Sequence, residues 1–187
     1  SDSATWHVRF SHVLSSSSEF QLMAERFRDL MLKRTEGRFR VAEQAQRAMG
    51  CRPVSNFNLV GAAQVGKSSL TGMRLLHRLN DRLPVWPVDP LPKEGSVLVE
   101  IYTALASLEA LPAHRGRKIR DYALLNEALA ALGSPPVAGT GPLDDHSSDA
   151  LLTAAWLRHV GENAALWNPS GLTQNIARTE GWTFGAR

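Results

Sequence analysis

The chain has 187 residues, of which 43% are apolar and 21% charged, and its net charge is +3. That length suits one domain with a proper core, and the composition is that of an ordinary globular protein. The single cysteine, Cys51, excludes an internal disulfide framework, and no apolar run approaches the length of a membrane span or of a signal peptide. We therefore expect one cytoplasmic domain, residues 1–187, with no membrane partner.

Positive charge is concentrated in two places. Between Arg26 and Arg52 the sequence has eight Lys or Arg against three acids, and a second cluster spans Arg115 to Arg120. Such clusters suit the phosphate backbone of DNA or RNA, which attracts cations over long distances. A solvated helix face would have the same pattern, so both interpretations stay open.

Residues 1–54 are predicted to form a helical, basic region. The stretch WHVRF, residues 6–10, alternates like a short strand. From Ser18 to Lys33 a capping box, with Gln21 three residues after Ser18, precedes apolar residues at helical spacing: Phe20, Met23, Phe27, Leu30 and Met31. A second, weaker helix is predicted from Val41 to Met49, ended by Gly50.

The middle of the chain contains the strand candidates. Phe57–Val60 predicts a short strand, and Ser69–Leu79 a helix. Residues 83–92 contain four prolines, so VWPV can form at most a broken or edge strand. Ser96–Tyr102, SVLVEIY, is the strongest strand candidate, and its apolar residues on both faces favour the middle of a covered sheet.

Helices dominate the predictions for the last third. Ile119–Leu132 and a segment from Asp145 to Val160 are predicted helices, and GWTFG, residues 181–185, is a final strand candidate. Trp86, Trp156 and Trp167 are interpreted as packing residues. Together the elements predict an α/β fold with a mixed sheet flanked by helices.

GAAQVGKSSL matches the phosphate-loop pattern, with Gly61, Gly66, Lys67 and Ser68 at its fixed positions. In such a loop, backbone N–H groups surround a phosphate, the lysine neutralises it and the serine holds magnesium, so the pattern predicts ATP or GTP binding. The later strand candidates are poor partners, because VWPVD is interrupted by proline and VLVE ends in Glu100. The alternative is a tight strand-to-helix turn with a solvated Lys67.

Four residues form a candidate catalytic site, in which three carboxylates would bind the metal. Glu100 interrupts the apolar strand, where an unpaired charge is costly without a partner or a metal. Asp145, His146 and Asp149 begin a predicted helix at spacings that place them on one face. Carboxylates on a strand and on a helix start are what a two-metal phosphodiesterase needs to bind Mg²⁺ or Mn²⁺. The alternative for Asp145 is a helix N-cap.

Five stretches of the sequence carry a resemblance: SNFNLVGAAQVGKSSLTGM, VWPV, SVLVEIYTALASL, DDHSSDALLTAAWL and ARTEGWTFG. Together they resemble a family of uncharacterised prokaryotic proteins predicted to be RNase H-like nucleases. The resemblance covers roughly residues 55–187. It implies an RNase H-like mixed sheet, with Glu100 as the carboxylate of the central strand. The start His146 to Asp149 is similar to the last metal-binding element of Holliday-junction resolvases, and such relatives imply a homodimer.

The sequence departs from that superfamily at its start. The first strand of the superfamily carries an essential Asp, whereas Asp2 has no strand before it. We therefore expect one of three cases: the chain is a C-terminal portion of a longer protein, its first strands are missing, or its active site is degenerate.

Three hypotheses follow from the sequence. The first is a metal-dependent nuclease-like domain using Glu100, Asp145 and Asp149 as ligands, with His146 orienting water or phosphate. The second is an ATP- or GTP-binding protein acting through Gly61–Ser68. The third is a non-catalytic nucleic-acid-binding or scaffold domain.

Overall fold

A computed structural model describes residues 39–58, 65–79, 82–114 and 116–187. The helices in these ranges are, in chain order, α1 Val41–Ala48, α2 Val65–Leu79, α3 Thr103–Ala110, a 3-10 turn Pro112–His114, α4 Tyr122–Ala131, α5 Asp145–Val160, α6 Ala164–Trp167 and α7 Gln174–Thr179. The strand predicted at residues 6–10 and the helix predicted at residues 18–33 lie outside the described residues.

Four of the predicted helices are confirmed with small shifts of their ends. They correspond to α1, α2, α4 and α5. Two starts are explained by side-chain caps: Asp121 accepts a hydrogen bond from the N–H of Leu124, and Asp144 accepts one from the N–H of Ser147. Helix α2 begins at Val65, earlier than the predicted Ser69.

The predicted RNase H-like α/β fold is wrong for the described residues. They are 50% helix and 3% strand, and they contain no sheet. Of the predicted central strand, Ser96–Tyr102, only Leu98 and Glu100 form isolated parallel bridges, to Val85 and to Thr183. Residues Asn56 and Phe57 lie in a turn, so the described start of the strand predicted at Phe57 is also wrong.

The two isolated bridges nevertheless place three extended segments side by side. The N–H of Leu98 donates to the carbonyl of Pro84, and the N–H of Phe184 donates to the carbonyl of Glu100, each over 2.9 Å. The first pairing cannot extend far, because Pro84 and Pro87 have no N–H to donate. The second ends at Gly185, whose positive φ of 88° turns the chain.

The core is built by α3, α4 and α5, which pack against one another. Each contributes buried apolar side chains, namely Leu105, Ala106 and Ala110, then Leu125, Ala128 and Leu129, then Leu152, Ala155 and Trp156. Alanine at the contacts lets the helix backbones approach closely. Among the described residues, no helix combines the length and apolar character needed to cross a membrane.

An aromatic cluster joins the closing segment to this core. Phe184 is fully buried and meets Trp86 and Trp156 edge-on, with ring centroids 5.8 and 5.9 Å away, and Trp167 at 4.5 Å in a tilted arrangement. The indole N–H of Trp156 donates to Glu109 and that of Trp167 to the carbonyl of Gly161. The three tryptophans interpreted as packing residues are confirmed as such, since Trp86 and Trp156 are buried and Trp167 is partly buried against the core.

Replacing Phe184 with Ala should destabilise the protein by about 3–5 kcal/mol, because it removes a ring that three tryptophans contact and leaves a cavity. Urea unfolding measures the loss. Val88→Ala, at an exposed position, is the control and should change the free energy of unfolding by less than about 0.5 kcal/mol. Equal effects of the two substitutions would contradict this description of the core.

Candidate functional site

Arg40 is the centre of the first charged cluster. Its side chain is only 8% exposed and lies between two glutamates: Nε donates to Glu43 over 3.0 Å. The two terminal nitrogens donate to the two oxygens of Glu100, over 2.8 and 2.5 Å. This is the bidentate fork geometry in which guanidinium–carboxylate hydrogen bonds are strongest.

Backbone groups and a hydroxyl complete the cluster. Glu43 also accepts from the N–H of Arg40 and of Asn56, at 2.9 and 2.8 Å. The Thr183 hydroxyl donates to Glu100 over 2.7 Å, and Arg40 donates to the carbonyl of Glu180 over 3.1 Å. Both oxygens of Glu100 therefore already have protein donors.

These contacts shift the pKa values of both partners. Partial burial favours the neutral form of Glu100, but hydrogen bonds and charge from Arg40, with the Thr183 hydroxyl, outweigh it and hold the pKa of Glu100 below its ordinary 4.5. Burial opposes the charge of Arg40, but the contacts with Glu100 and Glu43 raise the pKa of Arg40 above its ordinary value. The pair is ionised near neutral pH.

The second cluster lies at the start of α5. Asp144, not Asp145, is the N-cap: it accepts from the N–H and from the hydroxyl of Ser147, at 2.9 and 2.6 Å. These hydrogen bonds hold the pKa of Asp144 below its ordinary value. Asp145 and Asp149, as predicted from their spacing, share one side of the helix, since both approach Nζ of Lys118, at 3.5 and 3.7 Å. His146 is exposed beside them.

The structure does not unite the four predicted metal-site residues. Within residues 39–58, 65–79, 82–114 and 116–187, no group of three or more His, Cys, Asp or Glu is placed to hold a metal ion. Glu100 is engaged by Arg40, while the cation that Asp145 and Asp149 meet is Lys118. Binding of Mg²⁺ or Mn²⁺ stays a prediction.

Sequence reasoning missed Arg40 as the partner of Glu100. The charge of Glu100 predicted a partner or a metal, and the partner, Arg40, lies 60 residues earlier in the sequence. The available signal was local: Glu43 stands three residues after Arg40 at a helix start, which is the capping-box spacing. Nothing local links Arg40 to Glu100.

The phosphate-loop residues are only partly described. Gly61 and the three residues after it lie outside the described ranges. Gly66 is buried, and its N–H donates to the carbonyl of Asn58 over 3.0 Å, so this group bonds within the protein. Lys67 and Ser68 are exposed in the first turn of α2. Binding of ATP or GTP through this loop stays a prediction.

Helix α2 itself is an unusual surface. Residues 71–78 are all exposed, in contrast to the helices of the core. Lys67, Arg74 and Arg78 recur at spacings of seven and four, which places them on one face, and none of the 15 residues of the helix is acidic. The opposite face carries Val65, Leu76 and Met73, of which Met73 is 54% exposed, with Ser69 and Gly72 between them. We call these the basic face and the apolar stripe of α2.

Comparison of the chain with protein-family models, with curated proteins and with solved structures finds no match. The resemblance to predicted RNase H-like nucleases therefore stays a prediction from the sequence, without the fold that it implied.

Lowering the pH should weaken the protein partly through Glu100. Because the pKa of Glu100 is depressed in the folded state, its contribution to stability is present above about pH 4.5 and is lost as the pH falls through the folded-state pKa. Glu100→Gln should therefore make the free energy of unfolding fall less steeply below that pH. Urea unfolding at a series of pH values measures the free energy of unfolding of each variant, with Glu94→Gln, at an exposed position, as control. Identical slopes in Glu100→Gln and the wild type would contradict the assignment.

Removing the cation from each cluster should have very different effects. Arg40→Ala leaves Glu43, whose side chain is 3% exposed, without its cation, and should cost about 3–5 kcal/mol of stability. Lys118→Ala removes a cation from half-exposed aspartates and should cost less than about 1 kcal/mol. Chemical denaturation at neutral pH compares the two. A small effect of Arg40→Ala would show that its cluster is not structural.

Proposed function

We propose that this chain binds the phosphate backbone of nucleic acid through the basic face of α2. The observation that carries the proposal is a helix without acidic residues in which Lys67, Arg74 and Arg78 share one face and residues 71–78 are all exposed. Phosphate contacts need cations that water can reach, and the side chains of Lys67, Arg74 and Arg78 are exposed. Such contacts supply most of the affinity of non-specific nucleic-acid binding.

Charge segregation along the chain supports the proposal. From Phe39 to Lys93 the sequence has eight Lys or Arg against three acids, and from Glu94 to Arg187 it has seven against ten. The excess of positive charge lies in the part of the sequence that contains α2, and an excess of positive charge attracts an anionic polymer.

The same geometry favours binding over the other two hypotheses. A metal-dependent nuclease needs carboxylates that converge on an ion, whereas Glu100 pairs with Arg40 and the two aspartates meet Lys118. A nucleotide loop needs free N–H groups around a phosphate, whereas that of Gly66 bonds to Asn58. Backbone binding by α2 requires neither arrangement.

Removing Lys67 and Arg78 together should weaken binding and flatten its salt dependence. Each phosphate contact contributes roughly one to the slope of log K against log salt, so the slope should fall by about 2 in the Lys67→Ala/Arg78→Ala variant. Fluorescence anisotropy with labelled single-stranded DNA, duplex DNA and RNA, between about 50 and 200 mM salt, measures this. These titrations contain EDTA, so that the binding they measure is independent of metal ions, and a parallel series contains Mn²⁺ in place of EDTA.

Lys93→Ala/Arg187→Ala is the matched control, because it removes two exposed cations that lie outside α2. It should keep the wild-type slope. Equal weakening by both double variants, or absence of binding at low salt, would contradict the proposal. Binding that requires Mn²⁺ and disappears in Asp149→Asn would favour the nuclease hypothesis instead, and binding that requires ATP and fails in Lys67→Ala would favour the nucleotide loop.

A further inference from the structure

The extended segment 96–102 has one edge that is paired within the chain. Leu98 bonds through both its N–H and its C=O to residues 84–86, and the C=O of Glu100 accepts from the N–H of Phe184. In an extended segment, the N–H and C=O groups of every second residue point to the same edge. Leu98 and Glu100 therefore use one edge of this segment for both neighbouring segments.

The other edge of the segment is formed by the backbone of Val97, Val99 and Ile101. Within the described residues, no backbone N–H or C=O of these three takes part in a hydrogen bond. Such groups bond to water until another strand replaces it, because unpaired backbone groups away from water are costly. A row of unpaired donors and acceptors on an extended segment is a template for pairing with another strand.

The side chains of the segment also suit strand pairing. Val97, Val99 and Ile101 are β-branched, which favours strands, and they are half-buried against the core. The one charged side chain of the segment, Glu100, is already engaged by Arg40. A strand added at this edge would therefore cover apolar surface without taking an unpaired charge out of water.

A second copy of the same segment fits this edge. The extended stretch lies between Gly95, whose positive φ of 101° turns the chain, and Thr103, where α3 begins, so its midpoint is Val99. Antiparallel pairing about this midpoint places Val99 opposite the same residue of the copy and Val97 opposite Ile101. The two copies would then exchange about six backbone hydrogen bonds.

Charge and backbone geometry favour this register over its neighbours. A shift of two residues in one direction places Glu100 directly opposite Glu100 of the copy, and like charges in that position are destabilising. A shift in the other direction brings Gly95, which is not extended, into the pairing. With Val99 at the centre, Glu100 lies opposite Leu98, and no charges of the two segments are directly opposed.

We infer that two copies of this chain pair antiparallel through Val97, Val99 and Ile101, with Val99 on the two-fold axis. The opposite edge is occupied by residues 84–86 and Phe184, so the pairing closes with two copies and does not continue into a fibre. A contact this short is weak, and the dimer should form only as the concentration rises. The contact lies outside α2 and is independent of nucleic-acid binding.

Sedimentation velocity of the full chain between about 5 and 500 µM tests the pairing, since a dimer of this kind gains population with concentration. Val99→Pro removes an N–H that has no acceptor among the described residues, so the chain should fold while its self-association weakens at least about tenfold. Val99→Ala keeps the N–H, is the matched control and should associate within about threefold of the wild type. Thermal unfolding checks that both variants fold.

Amide exchange followed by NMR in the wild type gives a second measurement that needs no substitution. The N–H groups of Val97, Val99 and Ile101 should exchange at least about tenfold more slowly at a high than at a low concentration of that series. Those of Leu98 and Phe184, which are already bonded within the chain, should not change.

Four results would each overturn the inference. They are a monomer at every concentration, equal weakening by the two Val99 substitutions, a dimer that leaves the exchange of Val99 unchanged, and protection of Val99 at both concentrations. The third result would assign the dimer contact to another surface, and the fourth would show that this edge is covered within one chain.

Discussion

The guanidinium of Arg40 holds together parts of the chain that are far apart in sequence. It donates hydrogen bonds to Glu43 at the start of α1, to Glu100 60 residues later in the sequence, and to the carbonyl of Glu180 at the end of α7. A buried cation must find anions, because its transfer out of water is costly. The two glutamates meet that need, and Thr183 brings the closing segment to the same point.

The closing segment then connects this polar centre to the apolar core. Thr183 faces Glu100, whereas Phe184, the next residue, enters the cluster of tryptophans beside α5. A backbone hydrogen bond from Phe184 to the carbonyl of Glu100 places the two neighbours in opposite environments. The charged cluster and the hydrophobic core therefore lie on opposite sides of the extended segment that contains Thr183 and Phe184. A substitution that disrupts either one should disturb the other.

Helix α2 is constructed differently from the core helices, and this difference separates its role from theirs. Its first turns are held by Asn56 and Asn58, but the rest of the helix is exposed, with a basic face and an apolar stripe. Core helices gain stability by packing one apolar face against their neighbours. Helix α2 therefore has charged groups exposed on one side and apolar groups exposed on the other.

Four of the seven α-helices of the described residues, α1, α2, α4 and α5, were predicted from the sequence, because the spacing of apolar residues is a local signal. The sequence did not predict α3, and it offered Asp145 rather than Asp144 as the N-cap of α5. The apolar run around Glu100 carried no comparable information, since a strand becomes part of a sheet only through neighbours distant in sequence, and proline limits the pairing of one of them. The spacing of Asp145 and Asp149 correctly predicted a shared helix side, but not the Lys118 that meets them. Tertiary structure alone decided that Glu100 pairs with Arg40, because the free energy of that contact depends on burial and geometry that no short stretch of sequence encodes.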